Sequence, residues 1–184
     1  GMVSKAVNQA QNKVEGFNLD MRKHLLDFDD VLNKQRSAIY KKRRDIIEAG
    51  DKNEVKLILC EILNNFISFS EANIQAIEEV QKREEVLKKL DEFKEKVGKI
   101  PAELESERSK MASEHIVRLI DMLWVSHLEN LEALRESVNI RAYAQHEPLV
   151  EYRREAHILY QQLNENFENL VANTIWPVLE VDLE

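Results

Sequence analysis

Apolar side chains recur every three or four residues along most of this chain. In the first segment, residues 3–49, the apolar or weakly apolar positions are Val7, Ala10, Val14, Phe17, Met21, Leu25, Phe28, Leu32, Ile39 and Ile46. Steps of three and four place these side chains on one face of an α-helix. No proline and only one internal glycine, Gly16, interrupt the run. Gly50 offers a stop, and the basic residues at 41–44 suit the negative end of a helix dipole. A helix of this length extends about 70 Å at 1.5 Å per residue. No compact domain of this size needs one so long, so the segment reads as a strut against which other parts pack. The stripe drifts off strict heptads near residues 21–32, which argues against a coiled coil.

The same period continues downstream. Val55, Ile58, Leu59, Ile62, Leu63 and Phe66 form a second apolar face. Ser68 and Glu71 have the spacing of a capping box and predict a new helix start. Ile74, Ile77, Val80, Leu87, Leu90 and Phe93 carry the spacing on until Gly98 and Pro101 end it. Residues 51–100 therefore read as a small helical subdomain inserted between longer elements. A third stripe holds Ile116, Ile120, Leu123, His127, Leu131, Leu134 and Val138. A fourth holds Tyr152, Ala156, Leu159, Leu163, Phe167 and Leu170. Two matched stripes joined by fewer than about ten residues predict an antiparallel pair over residues 101–176. Pro148 restricts the residue before it and suits a helix start, which places Tyr143 at the tip of the hairpin. Trp124 lies beside the third stripe and gives that arm a second apolar face, for which the long first helix is the obvious cover.

Composition agrees with an all-α fold: a long helix packed with an antiparallel helical hairpin, plus a small helical subdomain. Four Gly and three Pro in 184 residues leave few turns. A net charge of −8 with 33% charged residues favours solubility and argues against a general nucleic-acid binder. One cysteine, Cys60, excludes an internal disulfide and a multi-cysteine zinc site, and its apolar neighbours predict a buried, inert thiol. No apolar run approaches the roughly 20 residues that span a bilayer. Gly1 ahead of Met2 looks like a cleavage scar, so the sequence is expected to be a piece of something longer.

Catalytic chemistry finds little support. There is no glycine-rich phosphate loop and no H-E-x-x-H. None of the five histidines has a glutamate three positions before it, as di-iron bundles require. Asp27, Asp29 and Asp30 cluster in the first segment, where the simplest reading is exposure or pairing with Arg22 and Arg36. The run Lys41-Lys42-Arg43-Arg44 lacks interleaved aromatics and reads as a solvated helix end. His127 on an apolar stripe reads as a hydrogen-bonded core histidine. Trp124 and Trp176 read as packing residues.

Three long, ordered runs carry a resemblance. The first is Lys13-Val14-Glu15-Gly16-Phe17-Asn18, then Arg22-Lys23, then Leu25 through Arg36, with Ile39-Tyr40. The second is the D-x-x-W-x-x-H-L pattern of Asp121, Trp124, His127 and Leu128. The third is Leu134-Arg135 and the stretch from Arg141 to Pro148, with Glu151-Tyr152 and Glu155-Ala156. Over about residues 6–48 and 113–170 the chain resembles the SecA family, the ATPase motors of bacterial preprotein translocation. Ala142 stands where the family usually has glycine, and His146-Glu147 replace a Lys-Asp pair.

The resemblance implies a scaffold helix over 3–49, a helical wing over 51–100 and a two-helix finger over 101–176. It implies a non-catalytic part of a translocase that transmits ATP-driven motion. Its partners would be the SecA motor domains, the membrane protein-conducting channel and the preprotein, with no nucleic acid. Tyr143, Arg141, Ala142 and Gln145 would touch preprotein and channel. Trp124, His127 and Phe28 would pack scaffold against finger. No cofactor is expected in this part, since ATP and magnesium belong to the parent's motor. The full-length protein would be cytoplasmic and peripheral to the inner face of the cell membrane. The rival readings are a free-standing helical adaptor that binds protein partners, and a small hydrolase built on the aspartate cluster.

Overall fold

A computed structural model describes residues 1–101, 103–141 and 148–179, apart from the side chains at 2, 3, 6, 17, 20, 21, 23–25 and 139–141. Every regular element among the described residues is helical: α1 (Met2–Asp51), α2 (Val55–Gln75), α3 (Val80–Gly98), α4 (Ser106–Arg141), α5 (Pro148–Thr174) and α6 (Trp176–Leu179). By packing, the chain divides into two units. One holds residues 1–38 and 129–160, the other residues 39–128 and 161–184. Helices α1, α4 and α5 each contribute to both.

In the first unit the core is built from all three of these helices. Phe28 of α1, Leu131, Leu134 and Val138 of α4, and Tyr152 and Ala156 of α5 are buried together, with Val31, Leu32, Leu149 and Leu159 packed around them. Phe28 meets Tyr152 and Gln35 meets Ala156, so α1 and α5 run in the same direction here. The apolar stripe is covered from Phe28 onward. Val7 and Val14 on the same stripe are exposed.

The second unit has the larger core. Ile39 and Ile46 of α1, Val55, Leu59, Ile62 and Leu63 of α2, Ile116 and Ile120 of α4, and Phe167 and Val171 of α5 are all buried. A row of edge-on aromatic contacts ties α2, α3 and α6: Phe66 to Phe93 at 5.0 Å and Phe93 to Trp176 at 5.4 Å between ring centroids. The Trp176 indole donates to the Ala172 carbonyl at 2.6 Å, so this tryptophan packs with its polar group satisfied.

Two expectations need correction. Helix α2 runs straight through Ser68 and ends at Gln75. A capping box needs the chain to leave helical geometry at the cap residue. Here the apolar face from Val55 to Ile74 keeps the helix intact, and Ser68 is exposed. The turn to α3 is instead fastened by Arg83, whose guanidinium donates through Nε and Nη2 to the Ile77 carbonyl.

Gly50 is the second case. It does not terminate α1 by adopting a left-handed conformation; Asn53 does, at φ 60°. The Glu54 amide reaches the Ala49 carbonyl at 2.7 Å and the Asn53 amide reaches that of Gly50 at 3.3 Å, the bond pair of a Schellman end. Gly50 is required for space. A Cβ placed on it would lie 2.5 Å from Ser113 Cβ on α4. At this crossing Ser113 Oγ donates to the Ile46 carbonyl at 3.0 Å, and Ser109 Oγ to the Gly50 carbonyl at 3.4 Å. Together with the Arg43–Asp121 pair, these contacts set α4 antiparallel to α1 in this unit.

Gly50→Ala should destabilise the chain by about 1–3 kcal/mol through overpacking, although alanine is the better helix former. Gly16→Ala, with nothing within 4 Å of its added methyl, should stabilise by about 0.5–1 kcal/mol. Urea unfolding followed by circular dichroism separates the two. Equal shifts would show that the α1–α4 crossing is not tight.

Candidate interaction surfaces

Of the residues expected to contact partners, Tyr143, Ala142 and Gln145 lie outside the described residues. Arg141 closes α4, and its side chain lies outside the description as well. What the structure describes is how the elements flanking them are held.

In the first unit, Phe28 sits edge-on to Tyr152 with centroids 4.7 Å apart. Such a pair adds about 0.5–1.5 kcal/mol beyond the area it buries. Burial pushes the Tyr152 phenol up, Arg135 opposes this and Asp29 adds to it. One turn further along α5, Gln35 Nε2 donates to the Ala156 carbonyl at 3.0 Å in a buried site. Asp27 faces Arg153 of α5 at 3.9 Å, while Asp30 pairs with Lys34 at 2.7 Å. Among the described residues the cations beside the aspartate cluster are Arg153 and Lys34, and Arg36 bonds Asn33. Among the described residues no group of three or more His, Cys, Asp or Glu is arranged to hold a metal.

In the second unit two members of the basic run are engaged, while Lys41 and Arg44 are exposed as a solvated helix end would be. Arg43 Nε bonds both carboxylate oxygens of Asp121, at 2.9 and 3.2 Å. Both side chains are close to half exposed, so the pair contributes at most about 1 kcal/mol. Lys42 Nζ lies 4.3 Å above the Phe167 ring. Its ammonium is pushed down chiefly by burial, against the attraction of Glu168 and Glu61. Glu168 is pushed up by its own burial, while Asn65, donating at 3.3 Å, and Lys42 hold it down. Sequence reasoning missed this cluster because its members come from α1, α2 and α5.

Trp124 and His127 neighbour each other one turn apart, rings 5.5 Å between centroids, and both are buried. Burial pushes His127 down and favours its neutral ring. His115 of α4 is hydrogen-bonded to Thr174 of α5. The Thr174 hydroxyl gives its proton to the Leu170 carbonyl at 2.6 Å, so His115 Nε2 must donate across the 2.8 Å bond to Thr174. Cys60 is only partly buried, more accessible than its neighbours predicted. Beside Trp124, a groove of about 520 Å³ runs between α1 and α4, lined by Tyr40, Arg43, Arg44, Ile47, Asp121 and Val125 among others.

These features define a helical scaffold: long helices, salt-bridged crossings and open surfaces. No helix among the described residues is long and apolar enough to cross a membrane. The profile of the SecA wing and scaffold domain matches residues 1–178. The chain belongs to the SecA wing and scaffold family. It is similar to proteins named protein translocase subunit SecA. That of Thermodesulfovibrio yellowstonii is 36% identical over 202 aligned positions, covering 96% of this chain and 22% of the relative. That of Desulfotalea psychrophila is 31% identical, covering 97% and 24%. That of Treponema denticola is 34% identical, covering 94% and 22%. The chain thus spans less than a quarter of the length of these relatives.

The Lys42–Glu168 cluster gives a pH prediction. A carboxyl whose folded pKa is raised contributes stability that is complete below its unfolded pKa and is lost as pH rises through the folded one. Glu168→Gln should therefore lose less stability than the parent as pH rises through and above the ordinary glutamate range. Lys42→Met, which removes a buried charge while keeping the stem over Phe167, should leave stability near neutral pH unchanged or raise it. Parallel pH profiles for parent and Glu168→Gln would show that this carboxyl is not buried.

Proposed function

We propose that this chain is the scaffold, wing and two-helix finger of a SecA-type translocase. In this reading it is the non-catalytic part that carries ATP-driven motion to the preprotein. The observation that supports it most strongly is the family match, which takes in residues 1–178. The chain has no nucleotide site of its own in this account. ATP and magnesium act in the motor domains of the parent protein, which sits in the cytoplasm against the inner face of the membrane.

Helix α1 is the element that couples to the motor. Its C-terminal half is fixed to α4 by the Gly50 crossing and the Arg43–Asp121 pair, so a displacement of α1 is passed to α4 instead of being absorbed. Helices α4 and α5 are the arms of the finger. Phe28, Tyr152 and Gln35 hold α1 to those arms near their linked ends. The segment 141–148 then meets the channel and the moving polypeptide through Arg141, Ala142, Tyr143 and Gln145. A tyrosine ring can press on varied side chains by apolar contact while its hydroxyl stays hydrated. Motion of this kind is a shear or rigid-body change of packed helices.

Tyr143→Ala in the full-length parent should slow preprotein translocation into membrane vesicles several-fold and leave basal ATP hydrolysis within about twofold, because contact and hydrolysis reside in different parts. Equal translocation rates would remove the tip from the mechanism.

A further inference from the structure

The buried stripe of α1 has a charge at one of its inner positions. Ile39 and Ile46 are buried, and Lys42 lies between them, about one turn from each, where the period calls for an apolar side chain. Lys42 is half-buried, and its ammonium rests 4.3 Å from the centre of the fully buried Phe167 ring. It makes no ion pair and no hydrogen bond among the described residues.

Two carboxylates attract it from further off, Glu168 of α5 and Glu61 of α2. Glu168 also accepts a hydrogen bond from Asn65, one turn after Glu61 on α2. Consecutive residues of α5 thus meet two different helices: Phe167 lies under Lys42 of α1, and Glu168 faces Asn65 of α2. All of these residues belong to the second packing unit.

Stability does not account for the charge. A methionine at this position fills the same space over the ring without desolvating an ammonium. What a hydrocarbon lacks is direction. A cation is drawn to the ring face and toward both carboxylates. Apolar contacts tolerate several near-equivalent packings and lose uniqueness before they lose stability. A local rule broken at a cost in this way is expected where function requires it.

We propose that Lys42 is a positioning residue: it holds α5 and α2 in one orientation against α1, and the amount of preprotein moved per ATP depends on that orientation. The functional half of this rests on the translocase reading above; the structural half does not.

Two measurements test it. In the chain itself, Lys42→Met should keep or raise the melting temperature, yet speed amide hydrogen exchange about tenfold in α2 around Asn65 and in α5 around Glu168. Lys42→Arg keeps a cation over the ring and should restore slow exchange. In the full-length parent, Lys42→Met should lower the preprotein moved per ATP about threefold with the KM for ATP unchanged, and Lys42→Arg should recover it. Unchanged exchange in Lys42→Met overturns the proposal. So does a parent-like yield per ATP, or a yield that falls only together with the melting temperature. None of these outcomes bears on the finger tip. Slowing by Tyr143→Ala beside a parent-like Lys42→Met therefore marks failure of this proposal alone.

Discussion

The second packing unit depends on how closely α1 and α4 approach at Gly50. A side chain there would strike Ser113, so the contact exists only because position 50 is a glycine. Ser109 and Ser113 use the closeness to place a hydroxyl donor on the Gly50 and Ile46 carbonyls in the last turns of α1. Once those residues are in register, the antiparallel run of α4 brings Asp121 to Arg43 two turns away. The groove that includes Trp124 follows from the same register.

The first unit is held differently. Its core is apolar, with Phe28 and Tyr152 at the centre and one buried amide, Gln35, fixing the position of α1 along α5. Sliding α1 by one residue would leave that amide without its acceptor, which costs more than the bond contributes. A buried polar contact thus helps set the register inside an otherwise apolar cluster. Helices α1, α4 and α5 each take part in both units without a break.

Much of this was legible in the sequence. Periods of three and four residues located the long helices, and Gly98 marked the end of α3. The D-x-x-W-x-x-H-L run and the Leu25–Arg36 run carried the family, which the match over residues 1–178 bears out. Single-helix patterns could not show contacts between helices. Lys41 to Arg44 read as one basic block, yet Arg43 faces an aspartate and Lys42 an aromatic ring, since successive residues point 100° apart around the helix. Ser68 and Glu71 matched a cap spacing that burial of the α2 face overrode. The Gly50 signal was read as a conformational one when it is steric. The tip residues Arg141, Ala142, Tyr143 and Gln145 rest on the resemblance and on the proposal built from it.

The proposed role requires this chain to couple physically to a motor. Titrating it into the motor portion of the parent protein, with ATP turnover followed alongside calorimetric binding, tests that most directly. The account predicts saturable binding and a changed rate of hydrolysis at saturation. No binding at several hundred micromolar, or binding that leaves ATP turnover untouched, would contradict it.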